Sequence, residues 1–137
     1  MKFWNIVHWI LFGSIAFASF VLPKEPLKIA FAVNVLIFIS WILFDRCIIW
    51  DIEKAIDPSF SVNKDTTKNL LNIDIDQKTY NYITHTLIYI NMLFGGYRLG
   101  ILKETVVSLL AYMVINGKYL HRTDDDLSKY DVSIFAH

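Results

Sequence analysis

The chain of 137 residues contains one cysteine, three prolines and five glycines, and neither sign of charge is in excess. The lone Cys47 excludes an intramolecular disulfide and any zinc site built from several thiolates. Thirteen basic residues balance thirteen acidic ones, so no basic stripe exists to neutralise phosphates, and nucleic acid is not an expected partner. Phosphate-binding loops, metalloprotease motifs and nucleophile elbows are missing as well. There are no repeats, no low-complexity tract and no Arg- and Ser-rich transit segment. Charge is also absent from two long stretches, 3–22 and 29–44. A soluble helix apolar on every side needs complete burial, which a chain of this size hardly supplies.

What is present is apolar. Hydrophobic residues make up 55% of the chain, above the roughly 45–50% of ordinary soluble domains. They gather in four stretches, 3–22, 29–49, 80–93 (extending toward 102) and 106–115. A hydrocarbon core of about 30 Å takes about 20 apolar residues to cross, and a backbone in lipid must satisfy its own hydrogen bonds as helix. The expected fold is therefore all-α. It is a polytopic integral membrane protein of about four transmembrane helices forming a single domain, 1–137. Helices are expected over about 3–22, 28–56, 79–102 and 104–117, with a polar loop at 57–78 and a polar tail at 118–137. The first run is longer than a signal-peptide core, and its exit, Leu22-Pro23-Lys24-Glu25, is not a small-x-small cleavage site, so it reads as a true first span.

Local signals refine this plan. Pro23-Lys24-Glu25-Pro26 is a tight turn that makes the first two spans an antiparallel hairpin. After Asp45-Arg46, apolar residues at 48, 49, 52, 55 and 56 repeat at helical spacing with charge between them. The second helix is expected to leave the bilayer there and bend into a short amphipathic interfacial helix, stopped by Asp57-Pro58. One or two helical turns are expected over 64–71, and Asp74 or Asp76 is placed to cap the third helix. Gly95-Gly96 reads as its end and Asn116-Gly117 as the end of the fourth. The fourth stretch is short of about 20 residues, so it must include Leu99–Leu102 or be completed by Lys103 snorkelling. Trp4, Trp41 and Trp50 fall near predicted span ends, where indoles anchor at headgroups, while Trp9 lies deeper. Asp124-Asp125-Asp126 reads as a solvated turn.

Four spans put both termini and the long loop on one side. That side holds Lys2, Arg46, Lys54, Lys64, Lys68, Lys78, Lys118, Arg122 and Lys129; the other holds Lys24, Lys28, Arg98 and Lys103. The positive-inside rule then places both termini on the cytoplasmic or matrix-equivalent side.

Polar residues inside spans are costly and mark sites. They are Asn5, His8, Asn34, Ser40, Thr84, His85, Thr86 and Asn91. His8 and His85 lie about two turns into helices that both start on the inner side, where the second helix also delivers Cys47 and Glu53. Chain direction thus collects His8, Cys47, Glu53 and His85 in one inner-leaflet polar cluster. Each histidine can simply donate a hydrogen bond to a neighbouring helix, as Asn34 and Asn91 can in helix–helix contacts. Alternatively His8 and His85 ligate a haem iron or another metal, relay protons with Glu53, or hold an anionic lipid headgroup. Cys47 reads as a buried small side chain, or as a thiol activated by Arg46.

The order of these residues resembles a family of small bacterial four-helix membrane proteins known only as a domain of unknown function. There the second helix ends in Cys-Pro-Leu-Thr-x-Leu-Glu and the third opens near Ile-x-His-Tyr-Leu. The corresponding residues here are Cys47-Ile48-Ile49-Trp50-Asp51-Ile52-Glu53 and Ile83-Thr84-His85-Thr86-Leu87, without the Pro and Thr and with a longer, more polar loop. The resemblance runs from about Asn5 to Asn116. It implies a four-helix membrane fold in which His8, Cys47, Glu53 and His85 act together, and it implies no activity.

Three functions are weighed. The first is a non-catalytic small membrane subunit or scaffold of a larger assembly, such as a respiratory-type complex or a virion's inner membrane, with lipids and other membrane subunits as partners and no cofactor. The second is a haem- or metal-binding redox protein using His8 and His85. The third is an inner-leaflet lipid-binding protein or enzyme.

Overall fold

The computed structural model describes residues 3–45, 48–56 and 72–121. All regular structure among them is helical: α1 (Phe3–Val21), α2 (Lys24–Phe44), α3 (Ile48–Ile56), α4 (Gln77–Leu99) and α5 (Leu102–Leu120). The four long helices have 19, 21, 23 and 19 residues, which at 1.5 Å per residue is about 28–35 Å each. One of them, α2, is long and apolar enough to cross a membrane by length and composition, and Ile6–Val21 is a shorter apolar stretch.

Contacts set the topology. Ile15 and Ser19 of α1 meet Asn91 of α4, Phe20 meets Phe94, and Leu22 meets Arg98, so α1 and α4 run parallel. Phe38 lies against Tyr89 and Trp41 against His85, so α2 is antiparallel to α4. Tyr112 faces His85 and His121 faces Tyr82, so α5 is antiparallel too. The result is an up-down-up-down bundle in which α4 packs on α1, α2 and α5.

Three boundaries differ from the sequence-based plan. The helix expected over 28–56, bending after Asp45-Arg46 into a short amphipathic segment, is two separate helices, because Asp45 turns into the left-handed region (φ 57°) and ends α2; the short helix after it is α3. Gly95-Gly96 does not end the third helix; α4 continues to Leu99, and the left-handed cap is Gly100 (φ 78°). The two glycines serve packing instead. A Cβ on Gly95 would sit 2.5 Å from Ser19 Oγ, and one on Gly96 would collide with Thr105. Asn116-Gly117 bends α5 rather than stopping it, with Asn116 at φ −120°, ψ 25° inside the helix. Asp76 takes the N-cap position of α4 but makes no side-chain capping bond. The turns expected over 64–71 and the acidic triplet at 124–126 lie outside the described residues.

Burial is inverted relative to a water-soluble bundle. The buried side chains are polar as often as hydrophobic: Ser19, Asn34, Ser40, Asp51, Asn81, Thr84, His85, Asn91, Thr105 and Asn116 stand beside a core of Ile37, Phe38, Trp41, Ile88, Met92, Leu109 and Tyr112. Large apolar side chains point outward, among them Ile29 (70% exposed), Leu43 (69%) and Val114 (86%). Helix α3 repeats the inversion, with Asp51 buried and Ile52 and Ile56 exposed. Trp41 is not a boundary anchor but a core residue packed on His85.

Candidate functional site

Helix α4 owes its site to its central position. Asn81, His85 and Ile88 recur at helical spacing on one face, with Asn91 and Gly95 a turn apart beyond them, so its polar groups meet other helices. His85 is buried and engaged at both ring nitrogens. Nδ1 lies 2.9 Å from Asn81 O, one turn back. A carbonyl only accepts, so Nδ1 carries the proton. Nε2 then accepts from the Tyr112 hydroxyl at a long 3.3 Å, and the Tyr112 oxygen accepts from Asn116 Nδ2 at 3.2 Å. The chain of donors runs one way: Asn116, Tyr112, His85, Asn81 O. Aromatic rings enclose the imidazole, with Trp41 at 4.7 Å, Tyr89 at 5.8 Å and Tyr112 at 6.3 Å between centroids. At the exposed foot of the same helix pair, the Tyr82 hydroxyl and His121 Nδ1 are 2.8 Å apart.

No family model, curated protein or solved structure matches the chain.

Of the four residues expected to cluster, His85 is at the heart of the bundle. His8 is half-buried on α1, the helix parallel to α4. Cys47 lies outside the described residues. Glu53 belongs to α3, but its side chain is not among those described. Among the described residues no three His, Cys, Asp or Glu side chains gather as a metal site. An iron bound at His85 Nε2 would have to displace the Tyr112 hydroxyl.

The two asparagines expected between helices behave differently. Asn91 bridges α4 to α1: its Oδ1 accepts from Ser19 N at 2.9 Å and its Nδ2 donates to Ile15 O at 3.0 Å. Those two α1 groups are one helical turn apart, so a single carboxamide spans one rung of α1. Asn34 instead donates to Ala30 O of its own helix, at 3.1 Å.

Several participants were not singled out from sequence. Tyr112 and Asn116 are four residues apart on α5, as Asn81 and His85 are on α4, and that shared spacing was the available signal. Arg98 reads from sequence only as a loop charge. Its Nη1 donates to Ser19 O (2.6 Å) and Leu22 O (2.8 Å), the open carbonyls at the end of α1.

Proposed function

We propose that the chain is a four-span integral membrane protein with both termini on the cytoplasmic or equivalent side, acting as a small non-catalytic subunit or scaffold of a larger membrane assembly. The observation that carries this reading is the inverted burial. Polar side chains are buried as often as hydrophobic ones, while large aliphatic side chains cover the outside of α1, α2 and α5. In water such a surface drives aggregation; in hydrocarbon it is the ordinary solvent face. Helix α4 is less apolar than α2 because it carries Asn81, Thr84, His85 and Asn91, and all four are buried in the bundle. The outward Ile52 and Ile56 support placing α3 at the headgroup–acyl boundary.

The non-catalytic part rests on His85. Both of its nitrogens are spent on internal hydrogen bonds, which is how a residue that orders helices is held. Native purification from membranes is the test. The protein should comigrate with a stable partner or with itself, and migration as a lone chain overturns the scaffold assignment. Reporter fusions at the two ends should both read the same cytoplasmic-side signal. Haem-replete expression should give no Soret band; its appearance would favour the redox alternative with His8 and His85 as ligands.

A further inference from the structure

Arg98 sits half-buried in the last turn of α4 and holds the end of α1 with a single nitrogen. Nη1 makes both of those bonds, to Ser19 O and Leu22 O. A guanidinium carries five N–H groups in a planar fork, so those on Nε and Nη2 remain. Nε–H and one Nη2–H run parallel and form the edge that matches two oxygens of a carboxylate or phosphate. Among the described residues no carboxylate takes that edge; Glu25 pairs with Lys28 instead. The charge at this end of the bundle favours an anion. It carries Lys24, Lys28, Arg98 and Lys103 against Glu25 and Glu104. Helix dipoles do not correct the excess, because α1 and α4 end there while α2 and α5 begin there, and their partial charges oppose one another.

Aromatic side chains across the same groove set the depth. Phe20 of α1 stacks on Phe94 of α4 at 4.9 Å, and Tyr97 follows Phe94 at 6.4 Å, all three at exposed positions. Apolar rings giving way to a tyrosine and then a cation is the order met on leaving acyl chains for headgroups. We propose that the Nε–Nη2 edge of Arg98 binds the phosphodiester of a phospholipid in the leaflet opposite the termini, one N–H to each of two phosphate oxygens. The site rests on the membrane-spanning reading above. It seats a lipid on the guanidinium that closes the end of α1, so α1, α4 and the bilayer surface meet at one side chain. A phosphodiester carries its negative charge whatever headgroup follows it, so the site separates phospholipid from neutral glycolipid.

Nitrogen–phosphorus dipolar recoupling tests this on the full chain with isotope-labelled arginine, in phosphatidylglycerol bilayers and phosphate-free buffer; Arg98→Lys identifies the signals by their loss. The Arg98 Nη2 and Nε signals should dephase, and more strongly than Nη1. An Arg98 side chain without dephasing, or with Nη1 dephased most, overturns the site. Bilayers of a neutral galactolipid with inorganic phosphate in the buffer should leave Arg98 unaffected; dephasing there means that any phosphate is taken and overturns the lipid assignment. Acyl-proton transfer to Val114, 86% exposed, separates the two readings. A bright Val114 beside an undephased Arg98 overturns this site alone, whereas a dark Val114 overturns the membrane reading beneath it. Melting in a maltoside detergent gives a second readout. Added phosphatidylglycerol should raise the wild-type melting temperature about twice as far as that of Arg98→Lys, which keeps the charge and loses the fork. Equal shifts overturn the proposal.

Discussion

Asn91 takes hold of Ser19 through the backbone: its Oδ1 accepts the Ser19 N–H at 2.9 Å while its Nδ2 donates to Ile15 O. One carboxamide thus enters the hydrogen-bond ladder of another helix. Replacing Asn91 with Leu removes both bonds to α1 and should cost about 1 kcal/mol, within the range of buried polar contacts between membrane helices. Asn91→Asp should be worse, since it keeps the acceptor, loses the donor to Ile15 O and buries a charge. Denaturant unfolding of both variants in mixed micelles checks the order; an unchanged Leu variant would remove Asn91 from the account of stability.

The glycines predict a graded series. Gly95→Ala and Gly96→Ala push a methyl into Ser19 and Thr105 and should each cost about 1–3 kcal/mol, as overpacking does. Gly100→Ala forces an L-residue to φ 78° and should cost about 1–2 kcal/mol. Gly13 has open space around it, so Gly13→Ala should be neutral or stabilising by up to about 1 kcal/mol through helix propensity. Thermal melts of the four variants separate these cases, and four equal effects would contradict the packing.

The His85–Tyr112 pair predicts a tautomer. Nitrogen NMR should find the His85 proton on Nδ1 and an unprotonated, hydrogen-bonded Nε2, because Asn81 O can only accept. Tyr112→Phe leaves both His85 Nε2 and Asn116 Nδ2 without the hydroxyl and should destabilise by about 1–3 kcal/mol. Finding the proton on Nε2 reverses the direction of the chain and contradicts it.

Arg98 predicts a cap on another helix. Its guanidinium meets the last carbonyls of α1, so Arg98→Met should lose about 1–2 kcal/mol from hydrogen bonding and helix-dipole terms together. Arg98→Lys retains the charge and should recover part of that loss. If Met and Lys melt alike, the charge at the helix end contributes nothing.

The sequence made some of this legible. An uncharged run announces a helix, and Pro23 with Pro26 announces a hairpin, because both act within a few residues. Asn91 and His85 stood out because polar groups are rare in apolar helices. Gly95-Gly96 misled, since a glycine pair signals a helix end as readily as a close approach. The choice between them depends on Ser19 and Thr105, distant in the chain or on the next helix. Trp41 misled in the same way: position near a span end suggested an anchor, and the neighbour that buries it is His85, on α4.

Helical character, the four-stretch plan and the shortlist of buried polar residues follow from composition and spacing, which are properties of nearest neighbours along the chain. The pairing of those residues came only with the bundle. Parallel α1 and α4 bring Asn91 to Ser19 and Arg98 to the end of α1, and antiparallel α5 brings Tyr112 to His85. A hydrogen bond needs its two atoms within about 3 Å, and which helix supplies the second atom is decided by register and packing between helices.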